Sequence, residues 1–384
     1  MSSLRRKFLN CFVRVKAKYI PTVICGHRNN RMENEKGMAL VVTLAVVAVL
    51  LAAGLWLAKF TGDAVMITLI EKDRFQAEQL ARSGIEIAKL ILVEDAAKND
   101  TDSVQDTWAD PEQLSRAVAA LGLAKDSLNI KIIDELSKIQ MNALIRQFPG
   151  NELNPDQANL WERFFSNQGK SEEDFDPAER VNAVKDWLDS QDDDAVTGLS
   201  GAETDYYMGL TPPYACANGP FYHVEELFKI RGFSEDDFKN PEEKGLADYF
   251  TVYGLENNPG PEGGYRYLGL ININTADVEI LSALLPEGME LLAEDLVDFR
   301  QEKSENKTEY IHALDQGWYK MVIDLPATEQ ARLDRIVTYA GRFFKIESRA
   351  RKNSSSTTLN VFLIREKNAV SGKWTCRVLQ MERE

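Results

Sequence analysis

The chain has 384 residues, 44% hydrophobic and 27% charged, with a formal net charge of −15 at pH 7. An ordinary apolar fraction of this kind excludes a disordered or low-complexity chain, and the acidic balance argues against a general phosphate-binding surface. The charge is uneven. Arg5, Arg6, Lys7, Arg14, Lys16, Lys18, Arg28, Arg31 and Lys36 crowd the start against only Glu33 and Glu35, whereas everything after Lys59 is acid-rich.

The dominant feature is an apolar run from Met38 to Ala58, with no charge between Lys36 and Lys59. At about 1.5 Å per residue such a helix is roughly 30 Å long, the thickness of a bilayer's hydrocarbon core. Basic flanks stay in the cytosol, which places the N-terminus inside and the acidic bulk outside, in a bacterium the periplasm. A cleaved secretory signal fits poorly. Its apolar region is shorter, whereas here Leu55, Trp56 and Leu57 follow the one small-residue site, Ala52-Ala53-Gly54. From Ala64 to Glu94 the residues Val65, Leu69, Phe75, Leu80, Ile87, Leu90 and Ile91 recur at helical spacing between charged neighbours. One helix is therefore expected, apolar in its first half and amphipathic in its second.

Leu128 to Glu135 is β-branched and alternating and reads as a strand. Helices are expected at Trp161 to Phe165, Glu179 to Leu188, Val224 to Ile230, Ala276 to Leu285 and Ala293 to Glu302. Asp176-Pro177 supplies an N-cap with Pro at the first helical position, Thr275-Ala276-Asp277-Val278 opens another helix, and Pro286 closes it. Phe343 to Ala350, Thr357 to Arg365 and Trp374 to Met381, separated by turns at Lys352 to Ser356 and Ser371-Gly372, form a three-strand antiparallel meander. The order is long helix, strand, helical block, meander. It predicts an α+β fold: a long N-terminal helix with an antiparallel β-sheet head, interrupted by a large all-α insert.

Lys36-Gly37-Met38 at the border of the apolar run resembles the processing site of type IV prepilins and type II secretion pseudopilins. That resemblance implies cleavage after Gly37 by a prepilin peptidase and N-methylation of Met38. Residues 1–37 would be the leader, with translation starting either at Met1 or at Met32; the latter start would remove Cys11 and Cys25. Counting from Met38, the fifth residue is Val42. Most pilins and pseudopilins carry a glutamate there, whose carboxylate meets a neighbour's N-terminal ammonium in an apolar fibre core. A subunit with Val42 cannot offer that charge, which suits the tip.

The segments Asp186-Trp187-Leu188-Asp189, Gly201 to Tyr207, Pro212-Pro213-Tyr214, Ala217-Asn218-Gly219-Pro220, Val224-Glu225-Glu226-Leu227 and Ile271 to Ala276 resemble, in order, those of the minor pseudopilin K family of type II secretion. The resemblance implies a pilin-like spine helix (38–58 in the membrane, 59–140 continuing into the head). It further implies an inserted SAM-like or helix-hairpin-helix-like helical domain over 141–336 and a closing meander over 337–384. It implies a minor pseudopilin of the inner membrane that bundles with minor pseudopilins I and J and sits on the major pseudopilin. Such a protein would cap the tip, touch secreted cargo or the secretin, and support export.

Asp186, Asp189, Asp192, Asp193, Asp194, Glu203 and Asp205 form the densest acidic cluster. On spacing alone it is a solvated loop or a hard-cation site, and not an EF-hand. The family resemblance implies structural Ca²⁺, with Asp186, Asp189, Asp192, Asp194, Glu203 and Asp205 as ligands. Cys216 and Cys376 lie in the exported part, where either a disulfide or two buried unpaired thiols is consistent with their positions. His27, His223 and His312 are scattered, and no nucleophile–base spacing, P-loop or dinucleotide fingerprint occurs, so an enzyme is not expected. The rival class is an exported helix-hairpin-helix DNA-binding protein of a competence or type IV pilus system, from Glu225 to Gly232 and Asn274 to Arg300. Glu235, Asp236, Asp237, Glu287, Glu290, Glu294 and Asp295 stand where phosphate would approach, so no nucleic acid is expected.

Overall fold

The computed structural model describes residues 35–122, 127–168, 176–190, 201–234, 244–256, 263–306 and 309–383. The expected leader before Glu35, with Met32, and the residues Asp192, Asp193, Asp194, Glu235, Asp236 and Asp237 lie outside them. The chain divides into two compact units, Met1–Thr68 and Leu69–Glu384.

Helix α1 runs from Glu35 to Lys98. Within the first unit its residues are exposed all round, from Met38 and Leu40 to Trp56 and Phe60. A helix apolar on every face is a membrane span or a helix awaiting partners. Its few hydroxyls are satisfied internally: Thr43 donates to the Leu40 carbonyl at 2.9 Å and Thr61 to the Leu57 carbonyl at 2.8 Å. That leaves no hydroxyl seeking water, as lipid requires. Among the described residues it is the one helix long and apolar enough to cross a membrane.

In the second unit α1 changes character. Ala77, Ala81, Gly84, Ile85, Ala88 and Leu92 are buried, while Phe75 and Leu90 face outward. After α1 come α2 (Pro111–Ala120), capped by the Asp110 carboxylate on the Glu112 and Gln113 amides, and strand β1 (Leu128–Asp134). The insert follows. It holds β2 (Ile139–Gln140), α3 (Pro155–Asn167), α4 (Pro177–Leu188), α5 (Thr204–Met208), α6 (Leu246–Tyr249), β3 (Phe250–Thr251), β4 (Ile271–Asn272), α7 (Val278–Leu284), α8 (Leu292–Gln301), α9 (Ala327–Ile336) and β5 (Val337–Thr338). Three long strands finish the chain: β6 (Phe343–Lys352), β7 (Ser355–Lys367) and β8 (Trp374–Arg383).

The expected meander is part of a larger object. β1 pairs antiparallel with β6, giving a four-stranded sheet in the order β1-β6-β7-β8. A chain excursion of some two hundred residues thus separates two neighbouring strands. One sheet face packs on α1 through Ile130, Ile132, Phe344, Ile346, Val361 and Leu363. The small residues of α1 let helix and sheet approach closely: a Cβ on Gly84 would lie 2.3 Å from the Ser348 hydroxyl oxygen, which itself donates to the Ala81 carbonyl at 2.8 Å.

The insert has its own core, drawn from Ile139 to Val337 and centred on Trp161, Phe164, Phe165 and Phe250. Its ends are stitched by two parallel strand pairs, β2 with β3 and β4 with β5. The expected helix at Val224 to Ile230 is a 3₁₀ helix, Val224–Lys229, with Glu226 accepting from the Tyr222 and His223 amides. α2 and α9 were not expected from the sequence; both are short and broken by polar residues, so their periodicity is weak.

Candidate functional site

Gly37 and Met38, where cleavage is expected from the sequence, lie in the first turns of α1. Gly37 has open space where a Cβ would stand, so nothing in the fold demands glycine there. Val42, the fifth residue after Gly37, is 55% exposed on the same uncharged surface.

The acidic cluster of the insert assembles in part. Asp186 lies in the last turn of α4, Asp189 is its C-cap, and Glu203 is the N-cap of α5. One carboxylate oxygen from each lies within 4.8 Å of the others, and all three residues are buried. The cluster forms because a helix end and a helix start converge under Tyr207 and Trp187, whose rings pack edge to face at 5.2 Å. Lys185 reaches in, 2.9 Å from Asp189 Oδ2 and 3.9 Å from Asp186 Oδ1. An all-oxygen set whose members lie within 4.8 Å of one another, about twice a Ca–O distance of about 2.4 Å, suits a hard divalent cation. Asp186, Asp189 and Glu203 could therefore hold such an ion. Asp205 lies outside the trio and is exposed on α5; Asp192 and Asp194 fall outside the described residues.

No disulfide joins Cys216 and Cys376. Cys216 belongs to the core of the insert and contacts the Asp186 carbonyl at 3.4 Å, while the half-buried Cys376 on β8 sits against the helix–sheet core, 3.8 Å from the Lys89 carbonyl. The bridge considered from sequence is corrected on that ground: each thiol is committed to a different core. Burial pushes the Cys376 thiol up to about 11, which leaves it inert.

The Ile271 to Ala276 segment proves to be a junction. Asn272 Nδ2 donates to Asp134 Oδ2 at 2.7 Å and to the Asp102 carbonyl at 3.0 Å, and Thr275 donates to the same Asp134 oxygen at 2.9 Å. Asn274 accepts from the Trp318 indole at 2.6 Å and donates to the Leu314 carbonyl at 3.2 Å. Asp102 is ion-paired to Arg365 of β7, which also donates to the Leu92 carbonyl of α1 at 3.1 Å. Burial pushes the carboxyls of Asp134 and Asp102 up to about 6, with Arg365 opposing it at both, and does the same at Asp95 and Asp106. Sequence reasoning missed Asp102, Asp134 and Arg365. The one available signal was Arg365, a lone cation directly after the apolar Val361 to Ile364 strand.

α7 and α8 form a helical hairpin turned by Gly288, whose φ of +84° favours glycine. Glu287 is exposed at its tip and Glu294 on the first turn of α8.

With these features in place, known proteins supply the comparison. The family described as type II secretion system (T2SS), protein K, matches residues 137–242. The chain is 26% identical over 293 residues to type II secretion system protein K of Pseudomonas aeruginosa, covering 73% of this chain and 78% of that one. It is 42% identical over 62 residues to the Aeromonas hydrophila protein of the same name, 16% of this chain and 18% of the other. Its fold is similar to a chain of the GspK-GspI-GspJ complex of the enterotoxigenic Escherichia coli type 2 secretion system, with a TM-score of 0.56 and 16% identity, covering 83% of this chain and 99% of that one. Taken together, these matches make the chain similar to type II secretion system protein K over most of its length, and similar in fold to a chain of that complex.

Proposed function

We propose that this protein is a minor pseudopilin that caps the tip of the type II secretion pseudopilus, initiates assembly with other minor pseudopilins and supports protein export across the outer membrane. The observation that carries the reading is α1: an uncharged helical surface exposed from Met38 to Trp56, in a chain whose later α1 residues are buried against its own sheet. Such a surface needs lipid or other helices. A single-pass inner-membrane anchor with a cytoplasmic N-terminus and periplasmic bulk satisfies it first. Helices of minor pseudopilins I and J and of the major pseudopilin satisfy it after extraction.

Prepilin peptidase would cut after Gly37, and the new Met38 ammonium would be methylated. In an apolar bundle that ammonium needs a carboxylate from a neighbour. Val42 supplies none to the next subunit, so a subunit of this kind fits where no subunit follows. The insert then stands at the free end, where cargo or the secretin would meet it. Asp186, Asp189 and Glu203, whose carboxylate oxygens converge, would hold Ca²⁺ and so tie the end of α4 to the start of α5; its role would be structural. The DNA-binding alternative is disfavoured by Glu287, Glu290 and Glu294 on the α7–α8 hairpin, since phosphate approaching there meets like charge.

Mass spectrometry of the chain recovered from cells that carry its peptidase tests the reading. A chain starting at methylated Met38 is expected, with the Gly37→Leu variant left uncut. An intact wild-type leader in secretion-competent cells would refute it and leave an ordinary tethered protein.

A further inference from the structure

A second group of carboxylates converges outside the insert, where α1 ends. Asp95 lies in the last turn of α1, and Asp102 and Asp106 lie in the loop that leads to α2. One oxygen from each lies within 4.8 Å of the others. Short-range contacts hold them there. Asn99 Nδ2 donates to Asp95 Oδ1 at 2.9 Å, and the Ser103 amide donates to Asp106 Oδ2 at 2.6 Å. Among the described residues the one cation touching the trio is Arg365, ion-paired to Asp102 and 3.4 Å from Asp95 Oδ2.

Two observations show that this group is short of positive partners. Asp102 is 2% exposed; its Oδ2 accepts from Arg365 and from the Gly341 amide, while Oδ1 is buried and accepts from no donor. A bare carboxylate oxygen away from water is costly unless something meets it. Asp95, for its part, stands at the negative end of the α1 dipole, where an anion is disfavoured and a cation favoured. Burial pushes the Asp95 and Asp106 carboxyls up to about 6, and each has a neighbouring carboxylate that adds to the rise, Asp102 beside Asp95 and Asp95 beside Asp106.

We propose that Asp95, Asp102 and Asp106 bind a hard divalent cation at the end of the spine helix, at a site separate from the Asp186 trio. The spread of the three oxygens is about twice a Ca–O distance of about 2.4 Å. Asp102 would offer Oδ1, the oxygen that no protein donor takes. Asp95 and Asp106 are only half-buried, so water can complete the six to eight oxygens that such an ion requires. A lone water would satisfy Asp102 Oδ1 but would leave three carboxylates facing one guanidinium. The ion would join the last turn of α1 to the loop whose Asp102 carbonyl accepts from Asn272, and so tie the spine helix to the junction with the insert. The inference depends neither on tip capping nor on the ion proposed for the insert.

The test uses the full chain in detergent micelles, stripped with chelator, and calcium chloride as the probe. Added Ca²⁺ should slow amide exchange in peptides spanning Asp95 to Trp108. Asp95→Asn and Asp106→Asn should each weaken that local response about tenfold or more, while any response at α4 and α5 stays as in the wild type. In chelator both variants should melt no lower than the wild type, since each removes one of the crowded negative charges; this shows that a lost response is not a lost fold. Unchanged exchange from Asp95 to Trp108 at saturating Ca²⁺, or an equal response in both variants, would overturn the proposal.

Discussion

Gly84→Ala tests how the spine helix is seated on the sheet. On an exposed helix this change stabilises by about 1 kcal/mol. Here the added methyl would lie 2.3 Å from Ser348 Oγ, 2.9 Å from Leu128 Cδ1 and 3.4 Å from Ile130 Cγ1. The leucine end can swing aside. Ser348 cannot easily move, because it is fully buried and its hydroxyl is held by the Ala81 carbonyl. Displacing it forfeits about 1 kcal/mol of hydrogen bond and adds about 1–3 kcal/mol of overpacking. Set against the propensity gain, the net loss is about 1–3 kcal/mol. Thermal melts of the full chain in detergent, followed by circular dichroism, should show a melting temperature several degrees lower. The G84A/S348A double variant supplies the control. Removing the hydroxyl oxygen opens the space, so the second substitution should cost less in the G84A background than in the wild type. A Gly84→Ala protein as stable as the wild type would mean that the helix rides higher on the sheet than described, and the close-approach argument would fail.

Three other outcomes are expected. Because burial raises the folded pKa of Asp134 and Asp102 to about 6, well above the ordinary Asp value, their folded form binds protons more tightly than the unfolded chain. The contribution is full below the unfolded pKa and lost as pH rises through about 6, so the melting temperature should rise by a few degrees from pH 7.5 to 5.5, and a flat or falling profile would contradict it. Ca²⁺ should raise the melting temperature of the wild type and Asp186→Asn should reduce that gain; equal gains in both proteins would remove the trio as the binding site. On the proposed tip-capping role, Val42→Glu should insert in the membrane normally yet lower secretion, and unchanged secretion would show that the missing carboxylate does not matter.

The parts of the fold set by local chemistry were legible in the sequence. The charge gap from Lys36 to Lys59 announces α1, Asp176-Pro177 announces the start of α4, where Asp176 accepts from the Ala178 amide at 3.1 Å, and alternation announces β1, β6, β7 and β8. The pairing of β1 with β6 was not legible, because the insert stands between them and no local signal survives that separation. In the acidic cluster, composition picked out a group of carboxylates but not which of them converge. Asp186 and Glu203 meet because the end of α4 and the start of α5 converge, whereas Asp205, two residues on, turns outward. The disulfide question shows the same limit: two cysteines in one compartment suggest a bridge, and only the division into two cores separates Cys216 from Cys376.

The signature Ile-Asn-Ile-Asn-Thr-Ala acquires a physical reason from its contacts. An inserted domain hung on the end of an edge strand would pivot unless its attachment were fixed in direction. Apolar packing alone is non-directional, so it would hold the insert near the sheet without fixing its angle. Asn272 and Thr275 bind the Asp134 carboxylate at the end of β1, Asn272 binds the Asp102 carbonyl, and Arg365 binds both the Asp102 carboxylate and the last turns of α1. Insert, sheet and helix are therefore joined by one buried polar network whose geometry tolerates few orientations. Such a network adds little net stability over an apolar substitute and is costly to break at one member. Its return is direction. Asn272→Leu should accordingly leave helix and sheet contents intact while loosening the insert, as faster amide exchange across β4 and α7, and it should damage assembly more than folding. Unchanged exchange there would mean that packing, rather than the asparagine, sets the angle.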